Sequence, residues 1–353
     1  MKASAKATRK LAAFALPLDT APMEAHSAGE LPDADGPWQY EPKWDGFRCL
    51  AFKSGDAVEL LSKAGKPLSR YFPEVIAFLR SLQIDQFVLD GELVIEADGR
   101  LLFDALQMRL HPAESRIRRL AAQTPAQLIV FDLLADARGT VLLNEPLRIR
   151  RKLLGSLIGK IGVCESLKLS PATVARKQAE RWLKAAGEDT DGVVAKQLDG
   201  PYVPGERMMI KVKRIRTAEC VVGGFRYGSK KREVGSLLLG LYDTDGKLHH
   251  VGFTSSIPSA ERPKLTQQLE ELRGSPGFTG KAPGGPSRWA TERSSEWEPL
   301  RPSLVAEVRY DHVTGDRFRH GTGFIRWRPD KSPSQCTFEQ IAPLPSAYRR
   351  PTA

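Results

Sequence analysis

The stretch Glu41-Pro42-Lys43-Trp44-Asp45-Gly46-Phe47-Arg48 brings a lysine, an acid, a glycine and an arginine together among apolar and aromatic neighbours: Tyr40, Trp44, Phe47, then Leu50 to Phe52. Taken alone it has two readings. Asp-Gly is a strong turn signal and lysine beside aspartate is commonly a solvated pair, which makes a charged turn. A lysine held among apolar residues is equally a candidate nucleophile. Short Lys-Asp-Gly strings recur by chance, so the decision lies with the rest of the chain.

Working outward, Phe47 to Phe52 and Ala57 to Leu61 read as strands joined by Lys53-Ser54-Gly55-Asp56, a hairpin with Lys43 at its entry. Tyr71 to Ser81 has helical periodicity from Pro73, with Val75, Ile76, Phe78 and Leu79 on the inward face. Phe87 to Ile95 is a buried strand interrupted by Asp90-Gly91-Glu92, and two carboxylates in such a strand are costly unless they bind something. Helices are expected over 103–109, 112–122, Leu147 to Ile158 (basic and amphipathic) and Lys177 to Ala186. Leu128 to Leu134 is a further buried strand containing Phe131-Asp132. Two more strands, Asp191 to Lys196 and Met208 to Lys213, carry charges among apolar residues, and period two puts Lys211 and Lys213 on one face.

Beyond Thr217 the pattern changes to short β segments and glycine turns: Cys220 to Tyr227, Gly235 to Tyr242, His249 to Phe253, Leu304 to Arg309 and Gly323 to Arg328. One helix, Ser259 to Leu272, lies among them, and a Gly/Pro-rich loop follows it. That spacing fits a small barrel such as an OB-fold. The expected organisation is a flexible basic arm over 1–17, an α+β domain over 18–213, a hinge at 214–217 and a barrel domain with a short tail over 218–353.

Across 353 residues, 53 Lys+Arg against 42 Asp+Glu give a net charge of +11, which suggests a polyanionic partner. Cys49, Cys164, Cys220 and Cys336 are scattered without metal-ligand spacing, as expected for separate thiols in a reducing compartment. No apolar run approaches membrane-spanning length, and the N-terminal segment is interrupted by Pro17, so a cytoplasmic protein is expected.

The charged residues form a constellation suited to phosphoryl or nucleotidyl transfer, which needs a nucleophile, acids to hold a divalent metal, and cations to neutralise phosphates. Lys43 is the candidate nucleophile. Glu92 and Asp191 are candidate metal and ribose ligands, and Lys196, Lys211 and Lys213 a candidate phosphate clamp. A lysine is almost wholly protonated at pH 7, and clustered cations favour its neutral amine, so one cluster serves both purposes.

These residues carry a family resemblance. Lys43 to Arg48 resembles motif I, KxDGxR, of the covalent nucleotidyltransferases, a superfamily of DNA ligases, RNA ligases and mRNA capping enzymes. Asp90-Gly91-Glu92 resembles motif III, Phe131-Asp132 motif IIIa, Asp191 to Lys196 motif IV, Lys211-Val212-Lys213 motif V and Arg328-Pro329-Asp330-Lys331 motif VI. Six motifs in order, with Tyr71-Phe72-Pro73-Glu74 and His111 to Arg116, are most similar to bacterial ATP-dependent DNA ligases of the stand-alone C group and the ligase module of end-joining ligase D.

The resemblance implies an α+β, ATP-grasp-like adenylyltransferase domain followed by an OB-fold. It implies sealing of 5′-phosphate/3′-hydroxyl nicks in duplex DNA through a lysyl-AMP on Lys43, with ATP and Mg²⁺ (or Mn²⁺). Glu41 then contacts adenine through its backbone, Phe131 stacks on the ring, and Arg48 and Glu92 hold ribose or the DNA 5′-phosphate. Asp191 binds metal, Lys196, Lys211 and Lys213 hold the α-phosphate, and Arg328, Asp330 and Lys331 come from the OB domain to orient pyrophosphate. A monomer working at the nucleoid in DNA repair, with repair or end-joining proteins as possible partners, completes the expectation.

The chain departs from the wider pattern at Asp191, where glutamate is commoner, and at Lys63, where many ligases have arginine; lysine lacks arginine's bidentate fork. Arg116, Arg118 and Arg119, Arg148 to Lys152, and Arg226 with Lys230 to Arg232 are expected to reach DNA phosphates without reading sequence. Two other functions stay open on the residues alone: an RNA ligase or capping guanylyltransferase with the same lysine chemistry, and an inactive OB-containing DNA-binding protein.

Overall fold

Alternation along three strands decides how the first half of the chain is built. In a computed structural model describing residues 14–32, 36–97, 100–162, 164–186, 190–228, 232–284, 296–319 and 321–342, the chain divides after Lys213 into two compact units.

The first unit contains β1 (Ala25–Ala28), β2 (Trp38–Trp44), β3 (Phe47–Ser54), β4 (Ala57–Ser62), α1 (Pro73–Ser81), β5 (Gln86–Ala97), β6 (Arg100–Leu101), α2 (Phe103–Arg109), α3 (Glu114–Gln123), β7 (Ala126–Ala135), α4 (Leu147–Ile161), β8 (Leu167–Leu169), α5 (Arg176–Ala185), β9 (Thr190–Gln197) and β10 (Met209–Lys213). A four-stranded sheet runs β1-β10-β9-β2, and a larger one runs β4-β3-β5-β7-β8. In the smaller sheet Tyr40, Val193, Ala195 and Val212 pack against Ala179 and Trp182 of α5. Period two therefore turns Glu41, Lys43, Lys196, Lys211 and Lys213 to the opposite face.

The larger sheet buries Cys49, Ala51, Leu89 and Leu93 with Val75 and Leu79 of α1 and Leu154 and Leu157 of α4. Each of these leucine and valine side chains, fully buried, contributes about 1.5–3 kcal/mol. Its other face, through Leu50, Phe52, Val88 and Leu134, packs with Met209 of the smaller sheet and with Met23 and Tyr202. Arg48 and Glu92 share that face, so charged residues of both sheets converge beyond one apolar cluster.

Asp132, the acid of Phe131-Asp132, ties α4 to β7. Arg150 donates from Nε and Nη2 to its two oxygens at 2.8 and 3.0 Å, and from Nη1 to the carbonyls of Glu145 and Gly200. Both side chains are buried. Arg151 donates to the carbonyls of Phe131 and Ser170, and Arg148 pairs with Asp199. The expected DNA-binding cluster Arg148 to Lys152 is thereby corrected in part: helical periodicity turns Arg150 and Arg151 into the fold, where they satisfy backbone and carboxylate oxygens, while Arg148 and Lys152 stay exposed.

Three other expectations change. Residues 1–13 lie outside the described residues, but Phe14 meets Phe52 edge-on at 5.9 Å and Leu16 is only 7% exposed. The arm therefore does not extend to residue 17, because these apolar side chains complete the cluster over Phe52. Lys43 is not at the entry of the β3–β4 hairpin, since it lies on β2, in the other sheet, and Asp45-Gly46 joins the two sheets. Arg216 and Thr217 pair with Tyr310 and Arg309, so only Arg214 and Ile215 lie between strands at the expected hinge.

The second unit contains β11 (Arg216–Tyr227), β12 (Val234–Tyr242), β13 (Leu248–Thr254), α6 (Arg262–Glu271), β14 (Glu298–Pro299), β15 (Val305–Tyr310), β16 (Val313–Thr314), β17 (Arg317–Phe318) and β18 (Gly323–Trp327). Its main sheet runs β13-β12-β11-β15-β18. Thr322, just before β18, donates from its amide to Phe253 O at 3.2 Å and accepts from Thr254 Oγ1 at 2.9 Å, which brings the two edge strands together. Five strands closed this way, with α6 between the third and fourth, make the OB-like barrel that the strand spacing suggested. The helix is shorter than the expected Ser259 to Leu272, and the tail beyond residue 342 lies outside the described residues.

Replacing Arg150 with methionine leaves Asp132 buried without its guanidinium, a change that costs about 3–5 kcal/mol. The expected outcome is a lower first unfolding midpoint in urea; an unchanged midpoint would show that the pair does not anchor α4.

Candidate active site

Lys43 sits one residue from the end of β2, and what it meets depends on an irregularity in β9. In the β2–β9 ladder Lys43 pairs with Gly192 and Trp44 with Thr190, so Asp191 is the unmatched residue of a bulge. Bulges re-aim side chains, and this one turns Asp191 toward Lys43 Nζ, which donates to Oδ2 at 2.7 Å. Lys213 Nζ lies 3.5 Å from the same oxygen. Gly192 makes the arrangement possible, because a Cβ there would lie 2.0 Å from Val212 O. Gly46 has a similar reason: a Cβ would fall 2.2 Å from Leu93 O and 2.8 Å from Glu92 Cγ. The glycine of Asp45-Gly46 thus lets the chain pass against Glu92.

Phe131 is also a bulge residue, since Asp90 pairs with Asp132 and Gly91 with Val130. Two cations approach its ring, Arg48 Cζ and Lys196 Nζ, each 4.5 Å from the centroid. Lys196 also donates to Glu41 Oε2 at 2.9 Å, and Gln39 Nε2 donates to Glu41 Oε1 at 2.7 Å. Glu41 and Lys196 are diagonal cross-strand neighbours, because Gln39 stands opposite Lys196. Arg48 makes a bidentate pair with Asp90, Nε to Oδ1 and Nη2 to Oδ2, both 2.6 Å. Burial works against the Arg48 charge, but the Asp90 carboxylate outweighs it and raises the pKa. Tyr202 donates its hydroxyl to Asp90 Oδ2 at 2.7 Å and accepts from the Met23 amide at 2.8 Å.

A cleft of about 320 Å³ joins these groups, lined by Lys43, Arg48, Glu92, Phe131, Lys196, Lys211 and Lys213. That is within the range of small-ligand sites. Pro22 to Ala25 and Lys63 form part of its wall, with Lys63 Nζ 3.0 Å from Glu24 Oε2. Burial, then Lys43, Lys63 and Lys213, push the Lys211 ammonium below its ordinary pKa. Burial raises the Glu92 carboxyl to about 7, against the opposing pull of Arg48 and Lys43. The cleft therefore presents cations, one aromatic face and a carboxyl balanced between its two protonation states.

The family pattern described as ATP dependent DNA ligase domain matches residues 22–213, and that of the ATP dependent DNA ligase C terminal region matches 230–331. The chain is 46% identical over 330 residues to DNA ligase C1 of Mycolicibacterium smegmatis, covering 91% of this chain and 93% of that one.

This chain belongs to the ATP-dependent DNA ligase family.

The ligase is also 30% identical over 309 residues to the multifunctional non-homologous end joining DNA repair protein LigD of Mycobacterium tuberculosis, covering 86% of this chain and 37% of that protein. The solved structure of a Lig E DNA ligase shares the fold, with a TM-score of 0.54 at 16% identity over 87% of this chain and 99% of that one. In this ligase the first unit brings together Glu41, Lys43, Arg48, Glu92, Phe131, Asp191, Lys196, Lys211 and Lys213, all expected from sequence. Asp330, Lys331 and Arg328 lie in the second unit, where Arg328 grips Asp330 (Nε to Oδ1, 2.9 Å; Nη2 to Oδ2, 2.8 Å) and pairs with Glu219. This grip holds the Asp330 carboxyl down, to about 2, and raises the Arg328 pKa.

Sequence reasoning gave no role to Asp90, Tyr202 or Glu24. Asp90 was visible as a second acid in a buried strand, whereas no period or spacing marks Tyr202. Of the basic clusters, Arg118 and Arg119 are exposed on α3 and Arg116 is half-buried, with Arg118 paired to Glu114. Arg232 is exposed over Tyr227, Arg226 is half-buried, and Lys230 and Lys231 lie outside the described residues. No helix among the described residues is long and apolar enough to cross a membrane.

Glu92 yields a pH prediction. Its folded pKa near 7 lies above the ordinary 4.5, so folding favours the protonated acid; that contribution is full below 4.5 and is lost as pH rises through 7. Glu92→Gln, which cannot titrate, is expected to be more stable than the parent in EDTA at pH 8, by up to about 3 kcal/mol, with the gap closing by pH 5. Thermal unfolding at the two pH values checks this, and a pH-independent gap would refute the assignment.

Proposed function

We propose that the enzyme seals 5′-phosphate/3′-hydroxyl nicks in duplex DNA by way of an AMP carried on Lys43. The observation that carries the reading is Lys43 Nζ held by Asp191 at the wall of a cleft that also presents several cations and an aromatic face. The Lys43 amine attacks the α-phosphorus of ATP; a P–N bond forms, the bond to the β-phosphate oxygen breaks, and pyrophosphate leaves. Asp191 Oδ2, at hydrogen-bond distance from Nζ, is placed to accept the proton released. A 5′-phosphate oxygen of DNA next displaces the lysine, giving an AMP-capped end. Attack by the 3′-hydroxyl then joins the strand and releases AMP. Each displacement leaves a good leaving group for the next.

In this reading Phe131 stacks on adenine, Glu41 contacts it through its backbone, and Arg48 and Glu92 hold ribose or the DNA phosphate. The Asp90–Tyr202 network keeps Arg48 aimed while the ligands exchange. Lys196, Lys211 and Lys213 neutralise the α-phosphate, and Asp330 and Lys331, with Arg328, serve pyrophosphate departure. Glu92 and Asp191 supply the hard oxygen donors that suit Mg²⁺, with Mn²⁺ as substitute, and a cation offsets the burial that keeps Glu92 from ionising. When bound, the metal neutralises phosphate charge as pyrophosphate departs.

The net charge of +11 and the exposed arginines of α3 support DNA binding through the backbone. A place in DNA repair is supported by the likeness to an end-joining DNA repair protein, and with it goes the proposal of a cytoplasmic monomer working at the nucleoid.

Lys43→Ala is expected to abolish both labelling by ATP and sealing of ordinary nicks. Incubation with α-labelled ATP or GTP followed by denaturing gel analysis tests this. Labelling from GTP alone would favour a capping guanylyltransferase, and sealing by the alanine variant would remove Lys43 from the mechanism.

A further inference from the structure

In the second unit two glutamates stand directly opposite each other: Glu219 of β11 is the cross-strand partner of Glu307 of β15. Like charges so placed repel, and both side chains are more than four-fifths buried. Arg328 and its neighbours relieve the conflict. The Arg328 Nη1 donates to Glu219 Oε1 and lies 3.7 Å from Glu307 Oε2, while Arg326 Nε takes that same Glu307 oxygen at 2.6 Å. The second oxygen of Glu219 receives Lys331 Nζ at 2.7 Å.

One carboxylate thus grips both ends of the turn Arg328-Pro329-Asp330-Lys331, and Arg328 in turn grips Asp330. Glu219 is itself pinned. Its amide donates to Gln340 Oε1 at 2.9 Å, and its carbonyl accepts from Gln340 Nε2 at 3.0 Å. The Gln340 amide stands in for a neighbouring strand, because β12 begins pairing with β11 only at Val221.

We infer that Glu219 is a positioning residue for the adenylation step: its carboxylate orients Lys331 directly and Asp330 through Arg328. The inference rests on the roles proposed above for Asp330 and Lys331. Glu219→Gln keeps the shape and one oxygen for Arg328 but offers an amide to Lys331.

The test measures, on the full-length protein, single-turnover adenylation of Lys43 at saturating ATP and, separately, sealing of a nick that already carries AMP. Glu219→Gln is expected to slow adenylation about 10- to 100-fold, as loss of an orienting partner does, with an unchanged melting temperature. Sealing of the pre-adenylated nick should stay within about threefold of the parent. Lys331→Met is expected to slow adenylation by itself, and adding Glu219→Gln to it should cost little more, because two residues acting through one contact are not additive.

Parental adenylation by Glu219→Gln, with Lys331→Met impaired, overturns the positioning role and leaves the proposed function standing. Equal loss in both steps, additive with Lys331→Met, reduces Glu219 to a structural residue and also overturns it. If Lys331→Met adenylates normally, the role given to Lys331 fails, and the inference fails with it.

Discussion

Five ammonium groups and a guanidinium share one cleft, and at such range like charges repel strongly unless acids are placed between them. Asp191 takes Lys43 and Lys213, Glu41 takes Lys196, and Asp90 takes Arg48. Surface ion pairs are worth little, but the Glu41–Lys196 pair is buried on both sides, and losing one partner there leaves a charge without water or counter-charge. The site is thus a set of committed pairs with a few groups off balance, Lys211 and Glu92, whose pKa values are displaced toward their neutral forms. In the function proposed above, a phosphate and a divalent cation are the ligands that restore that balance.

The pairs depend on backbone irregularity. Asp191 and Phe131 are each the extra residue of a bulge, in different sheets, and without the bulge each would be matched in its ladder and lose its present aim. The nearby glycines serve close approach rather than turn geometry: Gly46 admits Glu92, and Gly192 admits β10. A regular pair of sheets with the same composition would bury the same apolar area without bringing Asp191 to Lys43.

The second unit uses similar physics for a different end. Its barrel buries Val221, Leu237, Leu239 and Val308, while on the face bearing Glu219 and Glu307 it retains two opposed acids that a purely structural sheet would avoid. The acids are tolerated because Arg326, Arg328 and Lys331 neutralise them, which fixes the turn that carries Asp330. Here a locally unfavourable pair is retained with the cations that fix a turn.

The sequence by itself determined the architecture and the cast of residues. Period-two and 3.6-residue patterns located most of the strands and helices, and the change of pattern near residue 216 marked the second unit. Six short motifs in order pointed to the ligase family, because the chemistry requires a lysine, acids and cations at strand positions. The tertiary structure decided which charge meets which. A bulge, a diagonal cross-strand contact or a buried arginine leaves no periodic trace, so the Lys43–Asp191 contact, the Asp90–Tyr202 network and the inward turn of Arg150 and Arg151 could not be read from spacing. Local pattern sets which face a residue occupies, whereas ion pairs form between residues as far apart as 43 and 191, whose separation in space is set only when two sheets pack.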